Sequence, residues 1–174
     1  YADGIITLGG CDKTVPGVAM PLARMNLTGL TLYGGAAMPG RCEKATTADG
    51  QAIPGVDRNM DPGTVMEGIG SFGAGKINQA QLDVLERVAL PTRGCCSAMF
   101  TANTMASAME GLGLALPGTA SHPAVGYDDG VTAQKHADCA AAADAVFNLL
   151  ELKIKARDIL TYCLFALTVC LPSN

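Results

Sequence analysis

The run Gly9-Gly10-Cys11-Asp12-Lys13-Thr14-Val15-Pro16-Gly17 constrains this chain most, because it sets a thiol, a carboxylate and an amine side by side. Gly4-Ile5-Ile6-Thr7-Leu8 precedes it, short, β-branched and mostly apolar, which suits a buried parallel strand. Thr14 is placed to cap a following helix with Pro16 in its first turn, continued by Val18, Met20, Leu22, Ala23 and Met25. Such a strand–turn–helix presents its loop at the carboxyl end of a parallel strand, where open α/β sheets bind ligands. The loop reads as a metal-holding turn. The competing reading is a small buried thiol, a turn-forming aspartate and a solvated lysine.

With 174 residues there is room for one domain with a sizeable core. A formal net charge of −4 leaves no basic excess for a dedicated nucleic-acid binder, and 49% hydrophobic residues exclude a disordered chain. The seven cysteines form an odd set without the spacing of a secreted disulfide framework, and no secretory signal is present. A reducing setting is therefore expected: cytoplasmic, or organellar in a eukaryote. Tyr1-Ala2-Asp3 leads straight into a strand with no initiator Met, so the amino end is expected to be missing.

Farther on, Leu30-Thr31-Leu32-Tyr33 reads as a second strand, entered through Gly29. Residues 36–63 show no periodicity and are expected to form a functional loop or an insertion. Helical patterning marks Thr64–Ala74 and Gln79–Val88, the latter with Leu82, Leu85, Val88 and Ala89 on one face. Met99, Ala102, Met105, Ala106, Met109 and Leu112 predict a helix running to Leu114, with Cys95 and Cys96 just before it, where a helix amino terminus favours thiolate. A longer helix is expected from about Gly130 to Leu152, followed by Lys153–Ile159. The apolar run Leu164–Leu171 is too short to span a bilayer.

Gly68-Ile69-Gly70-Ser71-Phe72-Gly73 fits a dinucleotide-loop pattern, and Gly70 to Lys76 most of a phosphate loop. No strand precedes them, and Ile77 stands where a Mg²⁺-binding hydroxyl belongs, so they read as a glycine-weakened helix end. Cys11 and Cys96, both on glycine-containing loops before helices, are candidates to share an iron–sulfur cluster, although two thiolates do not complete one. Cys42, Cys139, Cys163 and Cys170 read as structural or incidental, and His122 and His136 as surface or capping residues.

The first run, continued by Ala23-Arg24-Met25-Asn26, resembles the first signature of the dihydroxy-acid dehydratase/phosphogluconate dehydratase family. Gly94-Cys95-Cys96-Ser97-Ala98-Met99-Phe100-Thr101-Ala102-Asn103-Thr104-Met105 resembles its second cysteine motif, continued by Gly111 to Gly118. The likeness covers residues 1–161, as a partial amino-terminal domain. Residues 162–174 follow the family faintly and read as a divergent, truncated or frame-shifted tail.

The resemblance implies a hydro-lyase that converts a 2,3-dihydroxy acid into a 2-keto acid in branched-chain amino-acid (isoleucine and valine) biosynthesis. It implies that Cys11 and Cys96 ligate an iron–sulfur cluster, [2Fe–2S] ahead of [4Fe–4S]. Alignment on Met99 favours Cys96 over Cys95. Asp12 and Lys13 would bind Mg²⁺, the lysine as a carbamate, which supplies the hard oxygen that an amine lacks. No catalytic residue is carried here: the family's serine base and a glutamate ligand lie in a later region, and a third cluster cysteine and another carboxylate lie upstream of Tyr1. Turnover by this chain alone is not expected. The complete protein is expected to be a homodimer acting on a small dihydroxy acid, with no nucleic-acid or membrane partner.

The expected architecture is α/β, a three-layer domain with a mostly parallel sheet and its cluster- and metal-binding loops at the carboxyl edge. Two other functions fit the same motifs: dehydration of a sugar acid (an aldonate or 6-phosphogluconate), and an inactive remnant that keeps the scaffold.

Overall fold

The computed structural model describes residues 2–161. Strand β1 (Gly4–Gly9), helix α1 (Thr14–Met25) and strand β2 (Thr28–Tyr33) form a β–α–β unit, the strands pairing in parallel from Gly4 opposite Thr28 to Gly9 opposite Tyr33. Gly29 faces Ile5 across this pair, and a Cβ there would fall 2.1 Å from the Ile5 carbonyl oxygen. Only glycine lets the strands approach so closely. Helices α2 (Pro62–Gly73), α3 (Gln79–Val88), α4 (Thr101–Gly111) and α5 (Ala133–Glu151) follow, with residues 156–161 again helical.

The alternation of β2 builds the layers. Leu30 and Leu32 pack with Ala142 and Val146 of α5, whereas Tyr33 joins Val15, Ala19 and Leu22 of α1 and Ala106 and Met109 of α4. Helices thus cover both faces of a parallel pair, the α/β arrangement expected. Full burial of Val15 and Leu22 contributes about 2 kcal/mol each. A separate core joins α2 and α3 to Ala45, Ile53 and Met60.

Several expectations need correction. β1 is parallel but not buried: Ile6 and Leu8 are 40% and 68% exposed. Thr14 does not cap α1, because Lys13 occupies that position. Its hydroxyl accepts instead from the Gly10 and Cys11 backbone N–H groups at 3.2 and 2.9 Å, closing the turn. β2 starts at Thr28 rather than Leu30, and α4 starts at Thr101, leaving Met99 and Phe100 exposed. Residues 36–63 are not structureless. They hold a short 3₁₀ turn (Cys42–Lys44) and backbone bridges pairing Gly40 with Met60 and Thr46 with Ala52. Gly68–Gly73 is the end of α2, as read, and Gly68 lies against Leu85 of α3. The tail from 162 onward lies outside the described residues.

A buried ion pair ties the layers together. Lys135 and Asp138, each 7% exposed, pair one turn apart on α5 at 2.8 Å. The Lys135 ammonium also donates to the carbonyls of Tyr33 (3.1 Å) and Thr119 (3.4 Å), and His122 Nδ1 lies 2.9 Å from Asp138. His122 is therefore neither a free surface group nor a helix cap. Burial pushes the Asp138 carboxyl up, but Lys135 and His122 outweigh it and leave the group below its ordinary value. Its stabilising effect is complete above the ordinary carboxylate range and is lost as pH falls through the lowered value. Asp138→Ala strands a buried ammonium, so urea denaturation at neutral pH is expected to show a loss of about 3–5 kcal/mol. The gap should narrow in acid. Equal stability at neutral pH would show that the pair does not brace the fold.

Candidate metal-binding edge

The turn after β1 and the segment before α4 meet at the carboxyl edge of the sheet. Past β2, Gly34 N–H donates to Gly9 O (2.9 Å), holding the two strand exits together. The Cys95 N–H donates to Gly35 O (3.0 Å) and Ala37 N–H to Cys95 O (2.8 Å), so the second cysteine motif is docked as a short parallel continuation. Pro123 bridges the same Ala36 from another segment. Gly94 has φ +141°, and a Cβ there would lie 2.4 Å from Ala37 N. A left-handed glycine is what lets this backbone approach.

On this edge Cys11 is exposed, while Cys95 and Cys96 are partly buried. The Cys95 thiol hydrogen-bonds the Gly10 carbonyl, next to Cys11. Burial pushes the Cys95 thiol up, and the nearby sulfurs of Cys11 and Cys96 act in the same direction. The expected thiolate-favouring helix terminus does not act on it, because α4 begins five residues beyond Cys96, at Thr101. Tyr33 is 2% exposed, with its hydroxyl beside Cys95 and Asn103, and among the described residues Ser97 Oγ has no hydrogen-bond partner. Burial, with Cys95 beside it, keeps the Tyr33 phenol protonated.

Asp12 and Lys13 form an exposed pair at 2.9 Å, and the Cys11 thiol donates to the other Asp12 oxygen at 3.2 Å. The Lys13 ammonium, and then Cys11, hold the Asp12 carboxyl below its ordinary value, and Asp12 holds Lys13 above its own. The sequence-derived donors Cys11, Asp12 and Lys13 thus share one turn, and Cys96 lies on the segment docked beside it. The sequence reading weighs Cys95 against Cys96 and favours Cys96 as a ligand; in the structure it is the Cys95 thiol that reaches the turn. Nothing in the sequence marked Tyr33.

The donors suit an iron–sulfur cluster and Mg²⁺ in kind: free thiols on one side, a carboxylate on a solvent-facing turn on the other. They fall short in number. Among the described residues no three His, Cys, Asp or Glu side chains converge on one ion position. Among the described residues the buried Ser97 Oγ, next to Cys96 in sequence, has no hydrogen-bond partner.

The dihydroxy-acid/6-phosphogluconate dehydratase amino-terminal family model matches residues 1–170, and the chain belongs to this family. It is 42% identical over 163 residues to a dihydroxy-acid dehydratase 2 of Acinetobacter baylyi, covering 94% of this chain and 25% of that protein. It is also 42% identical over 160 residues to a dihydroxy-acid dehydratase of Sulfolobus acidocaldarius, covering 92% of this chain and 25% of the other. A dihydroxy-acid dehydratase of Ruthia magnifica is 38% identical over 169 residues, 96% of this chain and 26% of its own. The chain spans about a quarter of the length of these curated relatives. By these names the family is one of dehydratases. No helix among the described residues is long and apolar enough to cross a membrane.

The exposures order the thiols by reactivity. Brief treatment of the metal-free chain with iodoacetamide, read by peptide mass spectrometry, is expected to label Cys11 and Cys139 before Cys95 and Cys96. Cys95 reacting first would contradict its burial and its contact with Gly10.

Proposed function

We propose that the chain is the amino-terminal, cluster-binding part of a dihydroxy-acid dehydratase, a hydro-lyase that takes water from a 2,3-dihydroxy acid to leave a 2-keto acid. The observation that carries this reading is the meeting of the Cys11-Asp12-Lys13 turn with the docked Cys95-Cys96 segment at one sheet edge. In this reading Cys11 and Cys96 hold the iron–sulfur cluster, and Asp12 and Lys13 hold Mg²⁺, the lysine as a carbamate. When bound, these groups supply Lewis acidity toward the departing 3-hydroxyl and toward the substrate carboxylate and 2-hydroxyl. The remaining donors and the proton-abstracting base come from other parts of the longer protein, for which a homodimer and a role in branched-chain amino-acid synthesis are proposed.

The chain's own residues prepare this. Thr14 closes the turn, so that Cys11 and Asp12 leave it at fixed backbone positions. Lys13 must lose a proton before its amine can attack CO₂, and Asp12 opposes that loss by stabilising the ammonium. Forming the carbamate removes the cation and frees the Asp12 oxygen for a metal. Carbamate on Lys13 is accordingly expected to increase with pH. In ¹³C-bicarbonate, a carbamate resonance should strengthen as pH rises and be absent in Lys13→Arg.

Anaerobic reconstitution of the complete protein with iron and sulfide separates the cysteines. Cys11→Ser and Cys96→Ser are each expected to abolish the cluster's visible absorbance, and Cys95→Ser to retain it. Unchanged absorbance in the first two would favour a scaffold without a cluster. With Mg²⁺ added, the cluster-loaded protein is expected to dehydrate 2,3-dihydroxyisovalerate in preference to an aldonate or 6-phosphogluconate. The reverse preference would move the assignment to a sugar-acid dehydratase.

A further inference from the structure

Away from the cysteines, a groove of about 340 Å³ opens among Arg41, Lys44, Arg87, Val88, Pro91 and Tyr127. Three stretches wall it: the turn at 41–44, the end of α3 with the residues just after it, and the loop carrying Tyr127. Although the chain carries a formal net charge of −4, three of its 12 lysines and arginines line this one groove. Among the described residues none of the three pairs with a carboxylate. Glu43 and Glu86 adjoin Lys44 and Arg87 in sequence, yet neither reaches ion-pair distance.

Two of the cations are held in place. The Arg41 guanidinium lies 4.1 Å from the centroid of the Tyr127 ring, and the Tyr127 hydroxyl donates to Pro39 O at 2.7 Å. The ring is thereby fixed, and it orients the guanidinium in advance. Arg87 Nε donates to Asp83 O at 3.1 Å, which anchors the side chain along α3 and leaves its terminal N–H groups for another acceptor. Val88 and Pro91 add an apolar wall beside these donors.

We propose that this groove binds a small organic phosphate monoester, with the phosphoryl oxygens taken by Arg41, Arg87 and Lys44 and the apolar body laid against Val88 and Pro91. Three cations carry more positive charge than the single negative charge of one carboxylate offsets. A phosphate monoester offers three terminal oxygens and a charge between −1.5 and −2 at neutral pH, and planar guanidinium groups match its geometry. The groove shares no residue with the cysteine-bearing edge, so the proposal stands apart from the cluster reading.

The probe is phenyl phosphate, titrated into the metal-free chain by calorimetry at low ionic strength. Saturable binding is expected, weakened about tenfold or more in Arg41→Ala and in Arg87→Ala, as the loss of one charge-assisted contact implies. Lys76→Ala, an exposed cation outside the groove, should bind as the parent does. Inorganic phosphate should bind more weakly than phenyl phosphate, since it cannot use the apolar wall. Circular dichroism checks that each variant is folded. Should an alanine variant fail that check, Arg41→Gln and Arg87→Gln make the same comparison. Absence of saturable binding, or equal affinity in the parent and the groove variants, would overturn the proposal.

Discussion

The site depends on backbone hydrogen bonds that prolong a two-stranded parallel sheet beyond its own strands. β1 and β2 end together at Gly9 and Tyr33, and from there Gly34, Gly35, Ala36 and Ala37 act as a strip onto which other segments dock. Cys95 and Ala124 both donate to it, so two segments far apart in sequence are held on this strip, the first with its thiol against the Cys11 turn. Each such bond adds little alone, about 1 kcal/mol net, but a buried backbone group left unpaired costs more than that. The strip therefore fixes its neighbours chiefly by what their displacement would leave unsatisfied. Small residues make the approach possible. Gly94 is required by its left-handed backbone, and Ala36 and Ala37 leave room for the incoming chain.

Beneath this strip lies the Lys135 ammonium, which joins the exit of β2 to the Thr119 turn and to α5. A buried ammonium demands several oxygen partners, and these come from three different elements. Those elements cannot separate without stranding it. The same edge carries the buried Tyr33 hydroxyl beside the Cys95 thiol. A well-braced framework thus carries the free thiols of this edge, which is the usual relation between a scaffold and its site.

Parts of this were legible in the sequence. The Gly9–Gly17 run announced a strand–turn–helix, because short apolar β-branched stretches, glycine pairs and an early helical proline each have local meaning. The bounds of α3 followed from apolar spacing, and α5 lies within a few residues of the expected long helix. The glycine-rich Gly68–Gly73 pattern was correctly read as helix, since it lacked the strand that a nucleotide loop requires. Other parts were not legible. Thr14 has the chemistry of a cap, but the adjacent turn claimed its hydroxyl. The core formed by Ala45, Ile53 and Met60 has no periodicity to reveal it, because its residues come from irregular backbone. The exposure of Ile6 and Leu8 depends on what covers β1, which no local pattern encodes.

The sequence by itself determined the donor types and their local frame: Cys11, Asp12 and Lys13 on one turn at the end of a strand, and a second cysteine pair ahead of a helix. It also determined the family, since two long motifs in order carry that signal. Only the tertiary structure decided which sulfur, Cys95, reaches the Cys11 turn. It alone decided that Lys135 and His122 converge on Asp138, and that Arg41, Lys44 and Arg87 gather around one groove. The physical reason is range. Turn and helix preferences act over a few neighbouring residues, whereas these meetings are fixed by packing and backbone pairing between segments tens of residues apart.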